Sequence, residues 1–214
     1  KPECGERRVG GLSIRLHHDR IASQNGIVRV LSSSGEALPL TDSRVTVLLP
    51  SMGKLSTEAF AAVFKVSGFH TKAHRPSDEA VLKLGRANTS CKECLPLILT
   101  TGTLLNYINN GKKDDEIVVY FFATGSGPCR FGQYYIFMED LIKRLEIPDV
   151  ALFTLTSDDG YLGMDKNFET RAWWAVVAAD VMEDIRSMIL ANAVDTDKAS
   201  GTFEADWQAI LTAL

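Results

Sequence analysis

Residues 116–145 read EIVVYFFATGSGPCRFGQYYIFMEDLIKRL. The first nine, 116 to 124, are almost all apolar or β-branched, which fits a strand covered on both faces and hence a parallel sheet. Gly125, Ser126 and Gly127 then allow a tight turn. Pro128 presets the dihedral of a helix entrance. Met138, Leu141, Ile142 and Leu145 follow at spacings of three and four, the stripe of an amphipathic helix, and Pro148 stops it. This strand–turn–helix unit predicts an α/β fold. It places Cys129 in the first turn of the helix, where partial positive charge favours thiolate over thiol. The plain alternative is a tight turn in which the cysteine is only a small buried hydrophobe; both stay open on these residues alone.

The same rhythm extends outward. RVTVLLP, 44 to 50, reads as a second buried strand. Ser56 and Thr57 are candidate caps for a helix carrying Phe60, Val63, Phe64 and Val66, and Gly68 ends it. FHTKAH is a short strand candidate. SDEAVLKLGR has Ser77 as N-cap, with Asp78 and Glu79 in the first turn. A helix over 95–109 ends at Gly111, and VALFTLT, 150 to 156, is a further buried strand. SDDGYLGMDKNF reads as a loop. A long helix from 168 to about 191 carries Trp174, Val177, Ala178, Val181 and Ile185 as its stripe, and a short helix covers 203–213. Together these predict a mostly parallel sheet with helices on both faces over residues 45–214. Residues 1–44 hold short β-like runs and read as a β-rich appendage, or as the tail of a preceding domain.

The chain has 214 residues, a formal charge of −4 and 45% hydrophobic residues. It is long enough for a substantial core. Mild acidity argues against nucleic acid as partner, and no stretch has the roughly 18 apolar residues of a membrane span. The first residues, KPECGERRVGG, lack the apolar core of a signal peptide and begin without Met, so a start inside a longer protein is expected. Four cysteines are too few for a disulfide scaffold, which points to a reducing cytoplasm where clustered thiols bind metal or react.

Ligands of parallel α/β sheets sit at the carboxyl ends of the strands, which singles out the Cys129 loop. The second candidate is SCKECLP, residues 90 to 96. Cys91-x-x-Cys94 ahead of a helix is compatible with a redox pair, a zinc knuckle or iron–sulfur ligation. With Cys129, three thiolates and one open position suit a [4Fe–4S] cluster. A closed zinc site needs a fourth ligand, for which His70 and His74 are nearest. GSGPCRFG lacks the ending of a phosphate loop. His17 and His18 are adjacent on a β-like run and so point to opposite faces. Trp173 and Trp174 read as helix packing rather than a cofactor box; Asp158, Asp159 and Asp180 could bind a cation but read rather as solvated loop and helix-cap residues.

Three stretches carry a resemblance: TSCKECLPLILTTGTLLNYI, FFATGSGPCRFGQYYIFMEDLIKRLEIPDVALFTLTSDDGY and RAWWAVVAADVMEDI. In this order they resemble the C-terminal region of the 2-hydroxyacyl-CoA dehydratase/activase superfamily, in particular its CoA-substrate-specific enzyme activases. The resemblance covers roughly residues 44 to 190. It implies a Rossmann-like α/β domain, an anaerobic setting and an oxygen-sensitive [4Fe–4S] cluster used for low-potential electron transfer to an acyl-CoA thioester. Cys94 and Cys129 match the family's motif positions; Cys91 stands where Gly is frequent. The implied partners are an ATPase domain or subunit of the same system and an acyl-CoA dehydratase or acyl-CoA substrate. The ATPase domain is absent from these residues, so activity from this chain alone is not expected. The alternatives are a non-catalytic docking domain for a partner subunit and a zinc-stabilised module.

Overall fold

The structure, a computed structural model, describes residues 6–9, 12–18, 20–24, 27–125, 127–155 and 166–213. Cys4, Ser126, Asp158, Asp159 and the side chains of His17 and His18 lie outside the described residues.

Two sheets are present among these residues. An antiparallel meander is formed by β1 (Glu6–Val9), β2 (Leu12–His18), β3 (Ile21–Gln24), β4 (Ile27–Leu31) and β5 (Ala37–Pro39), in that order. A parallel sheet is formed by β6 (Val45–Leu49), β7 (Thr71–Ala73), β8 (Ile117–Ala123) and β9 (Val150–Leu155), in the order β7-β6-β8-β9. The three long apolar runs are thus parallel neighbours, as expected. Every residue of β6 is buried.

Alternation along β8 explains why no polar face interrupts these strands. Val118, Tyr120 and Phe122 join one apolar cluster with Leu97 and Leu104 of α3 (Leu95–Asn110) and Met138, Leu141 and Ile142 of α4 (Tyr134–Arg144). Ile117, Val119 and Phe121 join the other, with α1 (Lys54–Val66), α5 (Lys166–Asn192) and α6 (Thr196–Ala213). Phe64 is its hub. Its ring meets Phe121, Phe153 and Phe168 edge-on at centroid distances of 5.6, 6.2 and 5.1 Å, the arrangement preferred by ring quadrupoles. Ile21, Val30, Leu38 and Leu40 of the antiparallel region belong to the same cluster. At the seam Ser33 N–H donates to the Asp149 carboxylate at 2.7 Å, and Asp149 N–H donates to the Ser33 hydroxyl at 2.8 Å.

Several local expectations need correction. The N-cap of α1 is Gly53, at φ 99°, a conformation that a side chain would strain. Thr57 lies inside the helix, where its hydroxyl accepts from Met52 N–H at 2.8 Å and donates to Gly53 carbonyl at 2.7 Å. Asp78, rather than Ser77, caps α2 (Glu79–Asn88): its carboxylate accepts from Val81 N–H at 3.0 Å and from Arg75 at 2.7 Å. The long helix α5 does not bury its large stripe. Phe168, Ala175, Ala179 and Met182 face the core, whereas Trp174, Val177 and Val181 are exposed. Small Ala residues let α5 approach α1 closely, and so decide which face turns inward. The last helix begins at Thr196, seven residues before the predicted start.

Helices α2 and α3 touch backbone to backbone. A Cβ on Gly85 would sit 1.9 Å from the Ile98 carbonyl oxygen, and one on Gly102 would sit 1.9 Å from that of Val81. Only glycine at both positions permits this crossing.

Candidate active site at the carboxyl edge of the parallel sheet

After β6 the chain turns outward to β7; after β8 it turns the other way, to β9. The chain therefore leaves β6 at Pro50 and β8 at Thr124 in diverging directions above the β6/β8 pair. Such a switch point opens a crevice at the carboxyl ends of the strands. A cavity of about 240 Å³ lies on this side, lined by Ser51, Ser77, Leu95, Pro96, Leu99 and Thr100 among others.

Cys94 is the N-cap of α3; its carbonyl accepts from Ile98 N–H at 3.2 Å, and its side chain makes no capping bond. The thiol turns instead to Tyr134, with Sγ 2.6 Å from the phenolic oxygen. Tyr134 is buried at the start of α4 and packs edge-on against Phe131 at 5.2 Å. Its phenol is held well above the usual tyrosine range, first by burial, then by the bond to Cys94 and by negative charge at Cys94, Cys129 and Glu93. The phenol therefore keeps its proton through neutral pH and can donate it to sulfur. Of the two cysteines only Cys94 is hydrogen-bonded to this hydroxyl.

Cys129 differs from its predicted setting. It precedes a single 3-10 turn, Arg130–Gln133, and α4 begins only at Tyr134. A turn that short has little summed dipole, and the thiol is exposed. The reason is Gly132. A Cβ there would lie 2.1 Å from the Gly125 carbonyl oxygen, so the loop closes tightly on itself at this residue. Gly125 and Gly127, the expected tight points, have open space where a Cβ would be. Gly132 could have been suspected from its place in RFGQ, where a glycine interrupts the helix start.

Cys91 is exposed in the turn before α3, where Lys92 N–H and Glu93 N–H bond back to Ser90. His74 follows β7 on the carboxyl side, its Nδ1 2.7 Å from the Arg75 carbonyl oxygen. His70 precedes β7, at the opposite end of that strand, and Asp180 is exposed on α5. Among the described residues no group of three or more Cys, His, Asp or Glu side chains is arranged to hold a metal ion. A [4Fe–4S] cluster is held by three or four thiolates. The described residues of this chain therefore do not form a complete cradle for one; they bring one thiol, Cys94, to the Tyr134 phenol.

Tyr134 was not singled out in the sequence. The signal that could have found it is its place as the first buried residue of the α4 stripe, four before Met138. A second polar network lies beneath β6 and β8. Glu116, buried, accepts from Tyr107 hydroxyl at 2.7 Å and from Lys113 N–H at 3.0 Å, with Lys72 ammonium at 3.4 Å. It fastens the end of α3 to the sheet and is structural.

Among the described residues no helix is long and apolar enough to cross a membrane. Comparison of the chain with family models, with curated proteins and with solved structures returns no match.

Proposed function

We propose that the Cys94–Tyr134–Cys129 edge is a thiolate site that supplies two ligands to a soft-metal electron-transfer centre completed by a partner subunit. The centre is an iron–sulfur cluster of the 2-hydroxyacyl-CoA dehydratase/activase kind, and the sheet is a Rossmann-like domain of that system. The observation that supports this reading is the Cys94 thiol held 2.6 Å from the Tyr134 hydroxyl at the carboxyl edge of the sheet, the edge from which β8 also leads to Cys129. Thiolates are the ligands that soft iron centres select. Tyr134 orients the Cys94 sulfur, and the apolar residues beneath it keep water from that side. The domain works in a reducing, anaerobic cytoplasm, as part of a larger system containing an ATPase component and an acyl-CoA substrate.

The test is anaerobic reconstitution with iron and sulfide, in the presence and absence of ATPase-containing partner chains. Cys94→Ser and Cys129→Ser are expected to lose bound iron and acid-labile sulfide; Cys91→Ser is expected to keep them. Equal iron in all four proteins overturns the assignment. Zinc recovered without sulfide would mark a zinc-stabilised module instead.

A second reading is a docking domain for a partner subunit. It is favoured by the two adjacent tryptophans, Trp173 and Trp174, exposed on α5.

A further inference from the structure

A helix normally turns one apolar stripe inward and a polar face outward. Helix α5 has apolar residues on both. Phe168, Ala175, Ala179 and Met182 face the core. At 100° per residue, Trp173, Val177, Met188, Val181 and Trp174 form a second stripe on the opposite side. These five are 63, 58, 59, 53 and 67% exposed. Two neighbouring exposed tryptophans above three aliphatic residues are far from the scattered single apolar residues of an ordinary surface. Tryptophan is also the residue most enriched among binding hot spots.

The stripe continues sideways into a groove of about 700 Å³ between α5 and α6, lined by Met182, Ile185, Ile189, Val194, Phe203 and Ile210 among others. The width of stripe and groove together suits a helix laid along α5. The borders are acidic. At the same spacing the exposed Asp180 projects just outside Trp173, and the exposed Asp184, further along the helix, projects between the directions of Trp173 and Val177. Asp195 and Asp206 also line the groove, together with Lys198. Arg186 is turned toward Glu183, at 3.4 Å.

We propose that the outward face of α5, with the α5/α6 groove, is the docking surface for a helix of a partner protein whose apolar stripe is edged by Lys or Arg. The inference rests on the docking reading and names its partner by charge. A second copy of this chain fits less well. An antiparallel two-fold pair brings the Asp180/Asp184 edges side by side. A parallel pair offers them only Arg171, nine residues away, about 13 Å along the helix. Either leaves the acidic edge unmatched, which costs specificity and affinity at an interface.

The test uses the full chain and two synthetic amphipathic peptides of about six turns, with identical Leu stripes edged by Lys in one and Glu in the other. Binding is read by peptide anisotropy and by tryptophan emission. Trp207 is fully buried, so Trp173 and Trp174 report the surface. The Lys peptide is expected to bind and shift emission to the blue. The Glu peptide is expected to bind at least about tenfold more weakly, because both edge pairs become repulsive. Asp180→Lys with Asp184→Lys should reverse the preference, and Trp173→Ala with Trp174→Ala should abolish binding while circular dichroism stays unchanged. Cys94→Ser should bind as the parent does, so that failure of the thiol site and failure of this surface are told apart. Absence of binding, equal affinity for both peptides, or a concentration-dependent dimer whose formation blue-shifts emission overturns the proposal.

Discussion

The sulfur of Cys94 and the hydroxyl of Tyr134 stand 2.6 Å apart, joining the start of α3 to the start of α4 across forty residues. This contact gives the three described thiols different accessibility. Cys91 and Cys129 are exposed, and Cys94 is half-buried behind the phenol. In a Cys4→Ser background, pulse alkylation followed by peptide mass spectrometry should modify Cys91 and Cys129 first. Breaking a hydrogen bond of about 1 kcal/mol before reaction slows Cys94 by about fivefold. Labelling of Cys94 as fast as Cys129 would show that the contact does not persist in solution.

Alkali should destabilise the protein through its buried tyrosines. Burial raises the phenols of Tyr107, Tyr120 and Tyr134 above the ordinary value of 10.0. A group whose pKa is raised by folding stabilises fully below its unfolded pKa and loses that contribution as pH rises beyond it. Stability measured by urea midpoint should therefore be flat across neutral pH and fall above about pH 10. Tyr134→Phe should reduce the steepness of that fall, since one of the three linked protons is gone. An unchanged slope in this variant would contradict the assignment.

Acid should act through Glu116. Burial alone would raise its pKa, but bonds from Thr46, Lys113 N–H and Tyr107, with the Lys72 charge, outweigh it and hold the carboxyl below 4.5. Its stabilisation is present above the unfolded carboxylate range and is lost as pH falls through the folded pKa. Glu116→Gln should cost about 1–3 kcal/mol at pH 7, the penalty of disrupting a buried charge-assisted network. The difference from the parent should shrink toward acid. Lys72→Met should cost less, because Lys72 is half exposed and screened.

The α2–α3 crossing predicts a pattern among glycines. Gly85→Ala and Gly102→Ala each force two backbones apart and should cost about 1–3 kcal/mol or more. The double variant should cost less than the sum, because one displacement relieves both clashes. Gly125→Ala should be near neutral. Thermal melts of the four proteins decide this; an additive pair would mean that the helices do not share the contact.

Phe64→Ala removes the ring on which Phe121, Phe153 and Phe168 converge. A cost of about 3–5 kcal/mol is expected, measured by denaturant midpoint at constant slope.

How far the sequence reveals this molecule depends on the range of the interaction. Runs such as VTVLL and IVVYFFA are legible because burial on both faces leaves no polar alternation to misread. Asp78 outcompetes Ser77 as cap because its carboxylate also engages Arg75, a preference that residue type alone leaves undecided. The inward face of α5 is hidden in the sequence because Ala175 and Ala179 allow a nearer fit than the larger Trp174 or Val177. Cys94 is legible as the residue before a helix, whereas Cys129 precedes only a 3-10 turn. Tyr134, which holds the Cys94 thiol, is not, because its role exists only once α3 and α4 lie side by side. The glycine pair Gly85–Gly102 belongs to the same class: neither residue announces in the chain that it faces a carbonyl of another helix.

That glycine pair has a consequence for the thiols. The segment between α2 and α3 carries Cys91 and ends at Cys94, and the two helices it joins are clamped backbone to backbone at Gly85 and Gly102. Cys94 thus stands on a fixed post. Cys129 stands on a loop closed only upon itself at Gly132, with solvent on its outer side. In the proposed thiolate site, Cys94 would be the stationary jaw of a vice that sets where a shared ligand sits, and Cys129 the jaw that adjusts to its size.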